Sequence, residues 1–185
     1  MNEVDFSKPA ALLLMDVTKS SRHSKIAGDF GEMLVLYWLS KYGFECAMVD
    51  HTGIDLIARN PHKNEVMGIS IKSRTRKPGT EAEYVKIPNK DFAKIEAACT
   101  AFGCSPYFAI VVDAGTFIRV FITSVNHALE LWPRTESGSG WRMSEAHLAR
   151  YSEDQQIMTF HFSSETKNWW TSIETNERAK EPKVP

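Results

Sequence analysis

The order of hydrophobic and polar positions along the chain predicts one helix, three strands, a second helix and two further strands. Apolar side chains recur at helical spacing over residues 25–42, and Gly43 follows as a typical residue just past a helix C-terminus. The positions on one face of this helix are Ile26, Phe30, Met33, Leu34 and Tyr37, and those roughly opposite are Val35, Leu36 and Leu39. A helix that is apolar on most sides is typical of a buried position, and we expect this one to be buried.

Short apolar or alternating segments predict the strands. They cover residues 44–51, 55–59, 66–74, 107–112 and 117–123, and an edge strand is predicted at 84–88. Asn89 is the predicted N-cap of a second helix over residues 90–102. The linker of residues 113–116 favours a hairpin between the last two strands.

Beyond Pro133 the pattern is weaker. Residues 137–140 read as a flexible loop, 144–151 as a short helix and 157–162 as a strand. The complete order of elements is typical of the α/β (α+β) class, with a central mixed β-sheet flanked by helices.

The length of 185 residues suits one domain with a small appendage. We expect an N-terminal leader over residues 1–22, an α/β core over 23–132 and a C-terminal extension that packs on the core over 133–173. The charged, proline-containing tail over 174–185 is typical of disorder.

Composition favours a reduced, cytoplasmic protein. The three cysteines have no metal-ligand spacing, which is typical of free thiols and not of a zinc site or a disulfide framework. The apolar run from Ala10 to Met15 is too short to span a membrane and lacks a cleavage signal, so we expect no membrane association. A net charge of −1 does not by itself indicate a nucleic-acid partner, although local basic patches matter more than the sum.

Three polar residues on neighbouring predicted elements are candidates for chemistry. Glu32 lies on the largely apolar first helix, where a carboxylate is costly unless a cation or donor meets it; an exposed surface position explains it equally well. Asp55 begins a short apolar strand, and its alternative role is a turn cap after Gly53. Lys72 shares one strand face with Ser70, opposite Met67, Ile69 and Ile71, and its alternative role is an exposed lysine on an edge strand.

The order of these residues resembles the core of the PD-(D/E)XK nuclease superfamily. The matching motifs are Gly31-Glu32, Gly53-Ile54-Asp55-Leu56-Ile57 and Ser70-Ile71-Lys72-Ser73-Arg74, and the resemblance covers roughly residues 25–112. It is strongest to the branch that holds archaeal Holliday-junction resolvases and related restriction-type endonucleases. The resemblance implies a restriction-endonuclease-like core and hydrolysis of phosphodiester bonds that depends on Mg²⁺ (or Mn²⁺).

The resemblance also implies a role for each matching residue. Asp55 and Glu32 correspond to metal ligands, and Lys72 corresponds to the catalytic lysine. Ser70 is catalytic by position but departs from the family, which has a second acidic metal ligand there; Mg²⁺ prefers carboxylates and water. Glu96 and Glu83 are the candidate replacement acids.

Basic residues after the third strand are candidates for contacts with the nucleic-acid backbone. They are Arg74, Arg76 and Lys77, and Lys25 near the start of the first helix joins them because helix N-termini favour anions. A solvated hairpin rim is the alternative interpretation of such a charge run.

Two hypotheses about function follow. The first is an endonuclease that acts on nucleic acid, with DNA as the expected substrate and a homodimer as one possible assembly. The second is a nuclease fold in which catalysis is impaired at Ser70, so that the protein acts as a nucleic-acid-binding or protein-interaction module. A third hypothesis is that the chain is a sheet protein unrelated to these nucleases, but the order of the three polar residues disfavours it.

Overall fold

The computed structural model describes residues 19–76, 79–115 and 117–163. Four helices and eight strands follow one another along these residues. They are α1 (His23–Lys41), β1 (Glu45–His51), β2 (Ile54–Asn60), β3 (Glu65–Thr75), β4 (Tyr84–Ile87), α2 (Asn89–Phe102), β5 (Ser105–Asp113), β6 (Phe117–Ser124), α3 (Val125–Leu131), β7 (Ser139–Arg142), α4 (Glu145–Glu153) and β8 (Met158–Ser163).

Six of the strands form one mixed sheet in the order β1-β2-β3-β5-β6-β8. The central pair β3–β5 is parallel and the other pairs are antiparallel. A parallel connection needs a crossover, which α2 provides. The predicted fold class, a central mixed sheet flanked by helices, is confirmed, and so is the hairpin between β5 and β6.

Helix α1 covers one face of the sheet and packs through Leu34, Val35 and Leu39. Gly31 lets it come close to β3, because a Cβ there would lie 2.0 Å from the Ser73 hydroxyl oxygen. Gly28, one turn earlier, has open space around it, since a Cβ added there would have nothing within 4 Å. The close approach of helix and strand therefore depends on Gly31 and not on Gly28.

The prediction that α1 is a buried helix was wrong for one of its two apolar sides. Ile26, Phe30, Met33 and Tyr37 are 46–54% exposed, and only Leu34 of that set is buried. The helix is apolar on two nearly opposite sides, so periodicity alone cannot decide which of them meets the sheet.

The other face of the sheet carries α2, α3, α4 and a two-stranded ribbon of β4 and β7. Large side chains such as Phe92, Trp141 and Tyr151 fill this layer. The structure differs here from the sequence prediction: α3 was not expected, and β7 includes part of the segment predicted as a loop. The predicted edge strand at 84–88 exists, but it pairs with β7 and not with the main sheet.

The predicted N-cap Asn89 was also wrong. Pro88 occupies that position, and the Asn89 amide donates instead to the carbonyl oxygens of Thr135 and Glu136. Both hydrogen bonds come from the amide nitrogen, and the amide oxygen, the atom that an N-cap uses, is buried without a partner among the described residues.

An ion-pair network joins α4 to the sheet. Glu145 accepts hydrogen bonds from Arg76, after β3, and from Arg119 on β6, and Arg76 also donates to the carbonyl of Met143. Burial disfavours the charged form of Glu145, but the two guanidinium groups outweigh this and lower its pKa.

Some predictions concern residues that the structure does not describe, namely residues 1–18, 164–185 and Lys77. None of the described helices is long and apolar enough to cross a membrane.

Candidate active site

Asp55 lies at the end of the β2–β3 ladder. Backbone pairing runs from Asn60 opposite Glu65 to Leu56 opposite Ile69. One residue further, an Asp55 carboxylate oxygen accepts a hydrogen bond from the backbone N–H of Ile71 at 2.6 Å. The side chain therefore replaces a backbone partner, which fixes the carboxylate at the point where the ladder ends.

Strand β3 sends its side chains to two different layers. Met67, Ile69 and Ile71 are buried under α1, as their alternation predicts. Ser70 and Lys72 face the α2 layer, where Ser70 is buried and Lys72 is partly exposed. Asp55, Ser70 and Lys72 line one cavity of about 260 Å³.

Asp91, which was not among the predicted site residues, completes the acidic wall of this cavity. It lies in the first turn of α2, and its carboxylate oxygen is 3.6 Å from the ammonium nitrogen of Lys72, with 21% and 27% of the two side chains exposed. An aspartate directly before an apolar helical run was visible in the sequence. Both predicted replacement acids are glutamates, and no local pattern links Asp91 to a strand so far back in the chain.

Gly53 sets how closely α2 approaches β2. Its φ is +116°, and a Cβ would lie 2.4 Å from the carbonyl oxygen of Lys94. The β1–β2 turn and α2 thus meet main chain to main chain, which fixes the separation between Asp55 and Asp91. Lys94 and His51 also line the cavity.

Glu32 approaches the same region from the α1 layer. Burial raises its pKa, and the negative charges of Asp55 and Asp29 raise it further, while Lys25 and Lys72 act in the opposite direction. Glu32 therefore lies within electrostatic range of Asp55 and Lys72, although it does not line the cavity itself.

The two predicted replacement acids are engaged elsewhere. Glu96 forms an ion pair with Arg134 at 2.7 Å on the outer side of α2. Glu83 pairs with Arg74 at 3.2 Å, in a groove of which Lys72 forms another part. The structure brings neither into the cavity that holds Asp55.

The predicted phosphate contacts are also largely neutralised. Arg74 is paired with Glu83, Arg76 with Glu145, and Lys25 with Asp29 at 2.7 Å. Lys94, in contrast, makes no ion pair among the residues that the structure describes. An anion that enters the cavity meets Lys72 and Lys94 as its nearest cations.

The donor chemistry of the site suits a divalent cation. Asp55 and Asp91 line the cavity with the carboxylate oxygens that Mg²⁺ prefers, and Glu32 adds negative charge from outside it. Within the described ranges, however, no three His, Cys, Asp or Glu side chains lie close enough together to hold a metal ion by themselves. Any ion here would keep several water ligands.

No protein-family model and no curated protein sequence matches the chain. Two solved nucleases are similar in structure. The Holliday junction resolvase Hjc of the hyperthermophilic archaeon Archaeoglobus fulgidus aligns with a TM-score of 0.48 and 17% identity, over 66% of this chain and 88% of its own. A restriction endonuclease in complex with substrate DNA aligns with a TM-score of 0.38 and 12% identity, over 85% and 82% of the two chains. At such low identity, both likenesses concern the fold alone.

Proposed function

We propose that this protein is a metal-dependent endonuclease that hydrolyses phosphodiester bonds in DNA. The observation that carries the proposal is the cavity that joins Asp55 from β2, Ser70 and Lys72 from β3 and Asp91 from α2. Acids and a lysine from three separate elements meet around one space that is open to solvent, which a purely structural role does not require.

Each residue has a distinct task in this proposal. Asp55, Asp91 and Glu32 would hold Mg²⁺ or Mn²⁺, which supplies a Lewis acid and an activated water when bound. Lys72, oriented by Asp91, stabilises negative charge that develops on the phosphate oxygens. Ser70 provides a buried hydroxyl at the floor of the cavity, where a hydrogen bond can orient a ligand of the ion.

A second candidate function has an observation of its own. A neutral Ser70 and the absence, in the described part of the chain, of three side chains that could together hold a metal ion favour a nucleic-acid-binding module without catalysis. This version predicts binding that is independent of Mg²⁺ and no strand cleavage.

Cleavage assays on point variants separate the two functions. Plasmid DNA and branched duplexes are incubated with the wild type and with Asp55→Asn, Asp91→Asn and Lys72→Ala in Mg²⁺ or Mn²⁺. Loss of an electrostatic group at the reacting phosphate is expected to lower the cleavage rate by about 10²–10³-fold. Glu96→Gln is the matched control, because it alters an exposed acid on the same helix as Asp91 and should keep wild-type activity.

Two further measurements serve as controls for the variants. Circular dichroism checks that each variant keeps the fold, and calorimetry with Mn²⁺ checks that Asp91→Asn weakens ion binding. Wild-type cleavage rates in Lys72→Ala would contradict the proposed enzyme, and binding without cleavage of any substrate would favour the second candidate.

A further inference from the structure

The ribbon of β4 and β7 has two different faces. Val85, Ile87 and Trp141 point into the core and are buried. Tyr84, Lys86 and Arg142 lie on the opposite, exposed face, where Tyr84 and Arg142 are directly cross-strand. This outer face, with the adjoining Trp132, is called the ribbon face below.

The aromatic groups of the ribbon face hold the arginine between them. The guanidinium carbon of Arg142 lies 5.8 Å from the centre of the Tyr84 ring and 5.9 Å from that of Trp132. The Tyr84 ring covers Gly140, since a Cβ at that position would lie 2.5 Å from a ring atom. Stacking on aromatic rings orders a guanidinium while leaving its N–H groups free to donate.

The cations of the ribbon face differ from the arginines around it. Arg74, Arg76, Arg119 and Arg134 all form ion pairs with glutamates. Lys86 and Arg142 form none within residues 19–76, 79–115 and 117–163. Lys86 and Arg142 can therefore pair with an anion on this face, as other cations without an ion pair, such as Lys94 and Arg150, can elsewhere on the described surface.

The ribbon face is continuous with the candidate active site. Tyr84 and Lys86 line a groove of about 490 Å³ together with Lys72 and Arg74, and the same two residues also line a separate cavity of about 250 Å³ with Trp132 and Arg142. A polyanionic strand that passes over Lys72 thus leads directly onto Tyr84 and Arg142.

We propose that the ribbon face binds an unpaired nucleotide next to the scissile phosphate, so that the substrate is DNA with a single-stranded segment beside the cut. The inference rests on the proposed function for the identity of the polymer. The exposed ring of Tyr84 offers a surface for a base that is not stacked in a duplex, with the half-buried Trp132 beside it, and Lys86 and Arg142 offer cations for its phosphates. The bases of an intact duplex are stacked on one another and cannot reach such rings.

Binding measurements without metal test this inference separately from catalysis. Fluorescence anisotropy in EDTA compares three labelled ligands: a single-stranded oligothymidylate, a blunt duplex, and a duplex with a single-stranded flap. Tyr84→Ala is expected to weaken binding of the single strand and the flap by roughly five- to a hundredfold, the range of one lost base stack, and to change blunt-duplex binding by less than about twofold. Tyr84→Phe keeps the ring and should restore wild-type affinity.

Arg142→Ala should weaken binding of the same two ligands and flatten the dependence of affinity on salt. The matched controls are Tyr42→Ala and Arg150→Ala, an exposed aromatic at the end of α1 and an exposed cation on α4, which should bind all three ligands as the wild type does.

Each result has one reading. Unchanged single-strand affinity in Tyr84→Ala overturns the inference, and so does an equal loss on the blunt duplex, which would mean a backbone contact without stacking. If the protein binds flap DNA through Tyr84 but cleaves no substrate, this inference holds and the proposed function fails. If it cleaves DNA but Tyr84→Ala leaves single-strand affinity unchanged, the proposed function holds and this inference fails.

Discussion

Single residues with special backbone conformations set the geometry of the candidate site. Gly53 shows this most directly, because it combines a positive φ with a main-chain contact to Lys94. No L side chain fits there without moving either the β1–β2 turn or α2.

Gly53→Ala should therefore lower the free energy of unfolding by about 2–4 kcal/mol, since it adds a backbone clash to a strained φ. Urea denaturation measures this loss, and the cleavage rate should fall as well because Asp55 and Asp91 are forced apart. Gly103→Ala is the matched control: its φ of +63° lies in the left-handed region, but nothing lies within 4 Å, so only about 1 kcal/mol should be lost. Equal losses in the two variants would contradict a role for the contact with Lys94.

At this scale the sequence predicted some of the candidate site and missed one member. Strand alternation predicted that Ser70 and Lys72 share a face, and the resemblance added Asp55; the structure places all three along one cavity, and their roles stay predictions. It was insufficient for Asp91, because only the packing of α2 against the β1–β2 turn brings that residue to Lys72. Charge pairing was equally invisible: nothing local in the sequence indicates that Arg76 is neutralised by Glu145.

At the scale of elements, a buried histidine ties α3 to the end of α4. Both ring nitrogens of His127 contact carboxylates, Glu130 at 2.9 Å and Asp154 at 2.8 Å. Burial disfavours the charged ring, but the two carboxylates outweigh this and raise the pKa of His127 above its ordinary value of 6.5. Burial likewise opposes the charge on Asp154, whereas the N–H of Gln156 and the His127 ring lower its pKa below 3.8.

These two shifts predict how stability depends on pH. The contribution of His127 is complete below pH 6.5 and is lost as pH rises through its raised pKa, and that of Asp154 is complete above pH 3.8 and is lost as pH falls through its lowered pKa. The tie is therefore strongest between these two values. His127→Gln should cost roughly 2 kcal/mol at pH 5 and less at pH 8.

Thermal unfolding followed at several pH values between 5 and 8.5 checks this expectation. The stability of the wild type should decline toward the alkaline end more steeply than that of His127→Gln. His161→Gln, which alters an exposed histidine on β8, is the control and should follow the wild type. Parallel curves for His127→Gln and the wild type would show that the ring is not held in its charged form.

The elements that were predicted poorly have a common physical property. Helix α3 and strand β7, which were missed, have seven and four residues, so they are too short for a periodic pattern to be visible. Their formation depends on contacts with the main sheet and not on local propensity. The long helices and the β2, β3, β5 and β6 strands were predicted with boundaries near the observed ones. Their apolar runs are long enough for the periodicity to distinguish a helix from a strand.

At the scale of the whole molecule, residues 133–163 contribute to the same sheet and core as the rest. Strand β8 pairs with β6, and Trp141, Leu148 and Tyr151 are buried among residues of α2 and β6. Glu145 in this segment also supplies the partner of Arg76. These contacts favour a single folding unit over a core with an accessory extension.

A chain that ends at Trp132 should accordingly lose cooperative unfolding. It would expose the apolar face that α4 and β7 cover and would leave Arg76 without its carboxylate. Calorimetry and size-exclusion chromatography, with the full-length protein as reference, measure the outcome. A sharp thermal transition in the shortened chain would mean that residues 23–132 fold on their own.

The contact between position 53 and α2 also bears on how relatives of this protein can be recognised. Main-chain atoms set the separation between Asp55 and Asp91. We therefore expect that the apolar side chains around the contact can be substituted in related sequences without moving either carboxylate. Position 53 itself accepts no side chain. We therefore expect relatives that keep this site to share a glycine two places ahead of the aspartate and an acid in the first turn of the crossover helix.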